Sequence, residues 1–76
     1  MILTPLESIN EEIKSLIELY GFTRDQAIIA SYCYARSEGD FLLLRADEEE
    51  ANERWTEADK LKGLAREYLN YANKQA

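Results

Sequence analysis

A chain of 76 residues with a net charge of −6 makes one domain at most, near the size at which a lone hydrophobic core is marginal. With no histidine and one cysteine, Cys33, it has no internal disulfide and no zinc site, so association with a second copy is the remaining route to extra stability. The acidic balance argues against non-specific binding to nucleic acid or anionic membrane, which both need cationic patches; apolar runs such as Phe41 to Leu44 are far too short for a membrane span.

The helix signals begin at Thr4-Pro5-Leu6-Glu7, with threonine at the N-cap, proline at the first helical position and glutamate three residues after the cap. Ser8-Ile9-Asn10-Glu11 repeats the box one turn later. Leu6, Ile9, Ile13, Leu16, Ile17 and Tyr20 recur at three- and four-residue spacing, and Gly21 follows where a left-handed C-terminal glycine belongs. The first helix is therefore expected over about 5–20.

Thr23-Arg24-Asp25-Gln26 is a second capping box, with Phe22 placed to staple onto Ala27. Apolar residues from Ala27 to Ala35 surround the next helix on most sides, the pattern of a central element covered on two faces. Gly39 reads as its stop and Asp40 as the next N-cap, giving a second helix over about 23–37. From Phe41 to Lys74 there is no proline and one glycine; Leu44, Ala51, Trp55, Ala58, Ala65, Leu69 and Ala72 keep helical spacing, and Leu61, Leu64 and Tyr68 widen the stripe. The expectation is a single all-α domain over 1–76, with two short helices packed on one long C-terminal helix over about 40–74. Alternative breaks fall at Glu50–Asn52, where Asn52 could cap a fourth helix, or at Gly63, where glycine costs about 1 kcal/mol against alanine.

A helix over 40–74 spans roughly 50 Å, and its two shorter neighbours roughly 23 Å each. Part of its apolar stripe then projects beyond its own partners, as an interface does. The expected interface residues are Trp55, Leu61, Leu64, Tyr68, Leu69 and Tyr71, with a homodimer as the expected assembly. Aromatic residues are enriched in interface hot spots, whereas Tyr32 and Tyr34 on the central helix read as core. Residues 40–59 carry a balance of −6 and residues 60–76 one of +3. That gradient complements a helix macrodipole and would also suit antiparallel pairing of two long helices.

Catalytic equipment is missing from the pattern: there is no histidine, no phosphate-binding glycine loop and no nucleophile elbow, so no enzyme and no cofactor are expected. Asp47, Glu48, Glu49, Glu50, Glu53 and Glu57 form an acidic patch, yet without the alternating ligands and glycine of a calcium loop or the Glu-x-x-His pairs of a di-metal bundle. No metal site is expected there. Carboxylates along a rigid helix can instead imitate a phosphate track and block a basic groove, which makes an inhibitor or nucleic-acid mimic the alternative to an interaction domain. Cys33 reads as a small buried hydrophobe, with no histidine to activate it. A lone cysteine and the lack of a signal-like N-terminus point to a cytoplasmic setting.

Residues 13–30, from Ile13-Lys14-Ser15-Leu16 through Tyr20-Gly21-Phe22 to Thr23-Arg24-Asp25-Gln26-Ala27, resemble the first two helices of ubiquitin-associated (UBA-like) domains. That family ends an apolar helix in a Gly-Phe or Gly-Tyr loop and follows it with a capped helix. The resemblance implies that Tyr20, Gly21 and Phe22 form a protein-contacting loop.

Overall fold

The computed structural model describes residues 4–74. They form three α-helices, α1 (Pro5–Tyr20), α2 (Arg24–Ala51) and α3 (Trp55–Lys74), with no strand among the described residues. Both expected capping boxes are present. The Thr4 side chain accepts from the Glu7 N–H at 3.3 Å while the Glu7 carboxylate accepts from the Thr4 N–H at 3.2 Å. Thr23 and Gln26 make the same exchange at 3.2 and 3.0 Å. Gly21 ends α1 with φ +71°, the left-handed conformation that costs a side-chain-bearing residue more.

The long helix is α2, not the C-terminal one. It passes through Gly39 and Asp40 without interruption and runs 28 residues to Ala51, so the expected boundaries at 37 and 40 are corrected. Gly39 is a point of close approach and not a stop: a Cβ there would lie 2.6 Å from Leu69 Cγ and 3.3 Å from the Ala65 carbonyl oxygen. Only glycine lets α3 come that near. The break falls instead at Asn52, the first of the two alternatives. The Arg54 N–H donates to the Glu49 carbonyl at 2.8 Å and the Glu53 N–H to that of Glu50 at 3.0 Å. This pairing is a Schellman stop with Glu53 at φ +61° in the position glycine usually takes. The Asn52 side-chain amide adds a bond to the Glu48 carbonyl at 3.0 Å. At the other candidate break, α3 continues through Gly63.

The turn at 52–54 folds α3 back along α2 as an antiparallel hairpin. Its seam is made of small residues: Ala27, Ser31, Ala35, Gly39 and Ala46 on α2 face Ala58, Ala65 and Ala72 on α3, all buried. Steps of four and a last one of seven on α2, and of seven on α3, keep each series on one side of its helix. The first helix lies across one face of this hairpin, where Ile9 joins Ala35, Tyr68 and Ala72 in the core cluster. Beside it, Ser31 Oγ donates to the Ile28 carbonyl at 2.6 Å, which leaves its oxygen to accept from the Tyr71 hydroxyl at 2.8 Å. The Tyr34 and Tyr68 rings meet edge-on at 6.2 Å. Cys33, expected inside, is exposed; it lies away from both α1 and α3.

Candidate interaction surface

Core composition is the first clue to a site. Of the eight buried hydrophobic residues described, six are alanines; the others are Ile9 and Tyr68. Larger side chains lie outside: Phe41 is 55 % exposed, Leu44 65 % and Trp55 59 %. A hairpin sealed by alanines buries little apolar area per residue, so the seam alone stabilises the fold weakly.

The first helix covers only part of the hairpin. Its groove neighbours on α2 are Arg24, Ile28 and Tyr32, and on α3 Glu67, Asn70, Tyr71 and Lys74. Beyond Tyr34 and Tyr68 the same face continues with no helix over it. On α2, Tyr34, Glu38, Phe41, Leu42, Arg45 and Glu49 succeed one another at helical spacing; on α3, Leu61, Leu64, Tyr68 and Tyr71 do the same. Phe41, Leu42, Leu61 and Leu64 therefore extend the floor on which α1 rests. Leu42 is partly buried against the core cluster, and Leu61 and Leu64 are half-buried.

The expected interface residues divide into three groups. Leu61 and Leu64 lie on the open face. Tyr68 is buried under α1, Tyr71 is tied to Ser31, and Leu69 packs at Gly39. Trp55 is the most exposed, but nine residues separate it from Leu64 and place it on the opposite side of α3. The spacing argument missed Phe41, Leu43 and Leu44, which lie on α2 in the open half. The four-residue series Ala27, Ser31, Ala35 and Gly39 was the signal that α2 continues and carries them there.

Acidic residues do not gather on one face. Asp47, Glu48, Glu49 and Glu50 are consecutive in α2, each turned about 100° from the last, so they point in four directions. Glu50 pairs with Lys62 and holds that ammonium's pKa above its ordinary value, mainly through their hydrogen bond. Glu49 lies 3.6 Å from Arg54, and Glu57 4.0 Å from Lys60; Glu53 occupies the turn. Among the described residues no group of three or more potential ligand side chains is placed to hold a metal ion. None of the described helices is long and apolar enough to cross a membrane.

Two further features are exposed. Tyr20 (71 %) and Phe22 project at the α1–α2 turn with ring centroids 6.5 Å apart, on either side of Gly21. An open groove of about 540 Å³ runs between α1 and α2, lined by Ile13, Ile17, Ile28, Tyr32 and Tyr71 with Lys14, Glu18 and Arg24 along its rims. The Tyr32 and Tyr71 rings in its lining lie 5.4 Å apart, tilted by 51°. Desolvation, then the neighbouring Tyr71, raises the Tyr32 pKa; burial, then Tyr68, pushes that of Tyr34 up to about 12. No protein-family model, no curated protein and no solved structure matches the chain, so no family match supports the UBA-like resemblance of residues 13–30.

Proposed function

We propose that this chain is a non-enzymatic protein-interaction domain whose contact surface is the open half of the α2–α3 hairpin. One observation carries the reading: side-chain size is inverted there. Alanines fill the inside, while exposed Phe41 shares the open face with half-buried Leu42, Leu61 and Leu64. A patch of large apolar groups on an otherwise charged surface is characteristic of a contact site. The exposed Tyr20–Phe22 corner, which the UBA-like resemblance would use, is a smaller and separate candidate. The phosphate-mimic alternative draws less support, because the acidic residues surround α2 and three of the six are engaged within the chain.

The test places a photo-crosslinking amino acid at Phe41, at Leu64 and, as a control, at exposed Glu11 in cells that make the protein. Discrete protein adducts, to itself or another chain, are expected at the first two positions and not at the third. Equal labelling at all three would remove the reading. Adducts concentrated at Glu48 and Glu53 instead would favour the acidic inhibitor.

A further inference from the structure

We propose that the groove between α1 and α2 is a binding site for a small alkyl carboxylate, one anionic head on a chain of about eight to ten carbons. The site is separate from the interaction surface: it lies at the end of the hairpin that α1 covers, not in the open half. Its volume of about 540 Å³ falls within the roughly 300–1,000 Å³ of small-ligand sites. Its make-up, an apolar lining with a few polar groups at the edge, is the one such sites share.

Two ridges frame the groove. Asn10, Lys14 and Glu18 follow one another at four-residue steps on α1, and Arg24, Ile28 and Tyr32 do so on α2. A three-residue link joins the two helices, and Ile9 meets Ala35 in the core cluster, so they run antiparallel. Glu18 and Arg24 therefore lie at the turn end, Asn10 and Tyr32 at the far end. Each ridge covers eight residue steps, about 12 Å. Next to the α2 ridge stand Ala27 and Ser31, whose short side chains do not fill the space between the helices. Ile13, Ile17 and Ile28 are left half-buried along it. An extended chain advances about 1.2 Å per bond, as extended backbone does, so about ten bonds span the groove.

Charge chooses the head group. Lys14 and Arg24 against Glu18 give the groove a balance of +1, in a chain whose net charge is −6. Neither cation is ion-paired among the described residues. Neighbouring depressions differ: the one between α1 and α3 sets Glu67 against Lys74, and the shallow one on α3 sets Asp59 and Glu67 against Lys60. Lys14 and Arg24 are exposed, so a carboxylate at the rim keeps its water while its tail lies on the isoleucines. A cationic amphiphile would follow the net charge of the whole chain, and an anionic one the local charge of the groove. The two are therefore separable by experiment.

The test titrates octanoate, decanoate, dodecanoate, decanol and decyltrimethylammonium into the ¹⁵N-labelled full chain, each below its micelle-forming concentration. Decanoate should give saturable amide shifts over residues 13–18 and 24–32, with the Trp55 indole unmoved. Each CH₂ laid on the groove should tighten binding about two- to fourfold, so decanoate should bind about four- to sixteenfold more tightly than octanoate. Dodecanoate, longer than the groove, should add less than about twofold. Decanoate should also bind more tightly than decyltrimethylammonium. A Lys14→Gln/Arg24→Gln variant, altered at two exposed positions, should keep its helical circular dichroism, lose about threefold or more in decanoate affinity and leave decanol unchanged. Glu18→Gln should tighten decanoate by about twofold. The proposal is overturned by a cationic amphiphile that binds as tightly as decanoate, by carboxylate shifts that never saturate or ignore chain length, or by shifts centred on Phe41 and Leu64.

Discussion

Replacing Gly39 with alanine tests the close approach that defines the hairpin, and the sign of its effect is informative. In an open helix interior the change stabilises by about 1 kcal/mol, because alanine loses less backbone entropy on folding. Here the added methyl would lie 2.6 and 2.7 Å from Leu69 Cγ and Cδ2, and 3.3 Å from the Ala65 carbonyl oxygen. Carbon pairs prefer about 3.5–4.0 Å, so Leu69 must leave its rotamer or α3 must withdraw. Overpacking of this kind costs about 1–3 kcal/mol. Set against the helical gain, the expected net loss is about 1 kcal/mol, a fall of about 4–8 °C in Tm for a domain of this size. Leu69→Ala removes the obstructing side chain. In that background Gly39→Ala should become stabilising, by up to about 1 kcal/mol, which makes the coupling about 2 kcal/mol. Thermal and urea unfolding of the four proteins, followed by circular dichroism at one fixed concentration, gives the cycle. A higher Tm for Gly39→Ala alone would refute the close approach, and a coupling near zero would show that Leu69 is not what fills the space.

Other substitutions probe the remaining punctuation. Glu53→Gly should stabilise by about 1 kcal/mol, since φ +61° is strained for glutamate and free for glycine; a lower Tm would argue against the Schellman turn. Gly63→Ala should also gain about 1 kcal/mol, because an added Cβ meets nothing within 4 Å, and a loss would place that face of α3 in a contact. For Tyr34 the folded pKa, about 12, lies above the ordinary value near 10. The folded state therefore holds this proton more tightly than the unfolded one. Its stabilising contribution is full below pH 10 and is lost as pH rises from 10 to 12. Tyr34→Phe should weaken the alkaline fall in Tm over that window, and an unchanged fall would show that Tyr34 is not responsible.

The helix starts were legible because capping is local chemistry: Thr4 with Glu7 and Thr23 with Gln26 each fix a boundary within four residues. Gly21 was legible for the same reason. Gly39 was not, because a glycine that ends a helix and one that admits a neighbour look alike in sequence. The deciding atoms belong to Ala65 and Leu69, far along the chain. The stop at Asn52–Arg54 was obscured in the opposite way, with glutamate in the left-handed position and no glycine to mark it. The apolar stripe of Leu61, Leu64 and Tyr68 was correctly grouped, but which part stays open depends on where α1 crosses, and no local pattern encodes that. Phe41 and Leu44 were placed on the wrong helix by the same misreading of Gly39; both belong to α2, and Phe41 lies on its open face.

The most direct test of the open surface is a dilution series of the unmodified, ¹⁵N-labelled chain, followed by amide NMR from millimolar to low micromolar concentration. Concentration-dependent shifts should be confined to residues 38–49 and 57–66, with the amides of the α1–α2 groove and of the Ser31–Tyr71 contact unmoved. Shifts spread evenly over all three helices would contradict the open half as the contact surface, and none across the whole range would contradict self-association through it.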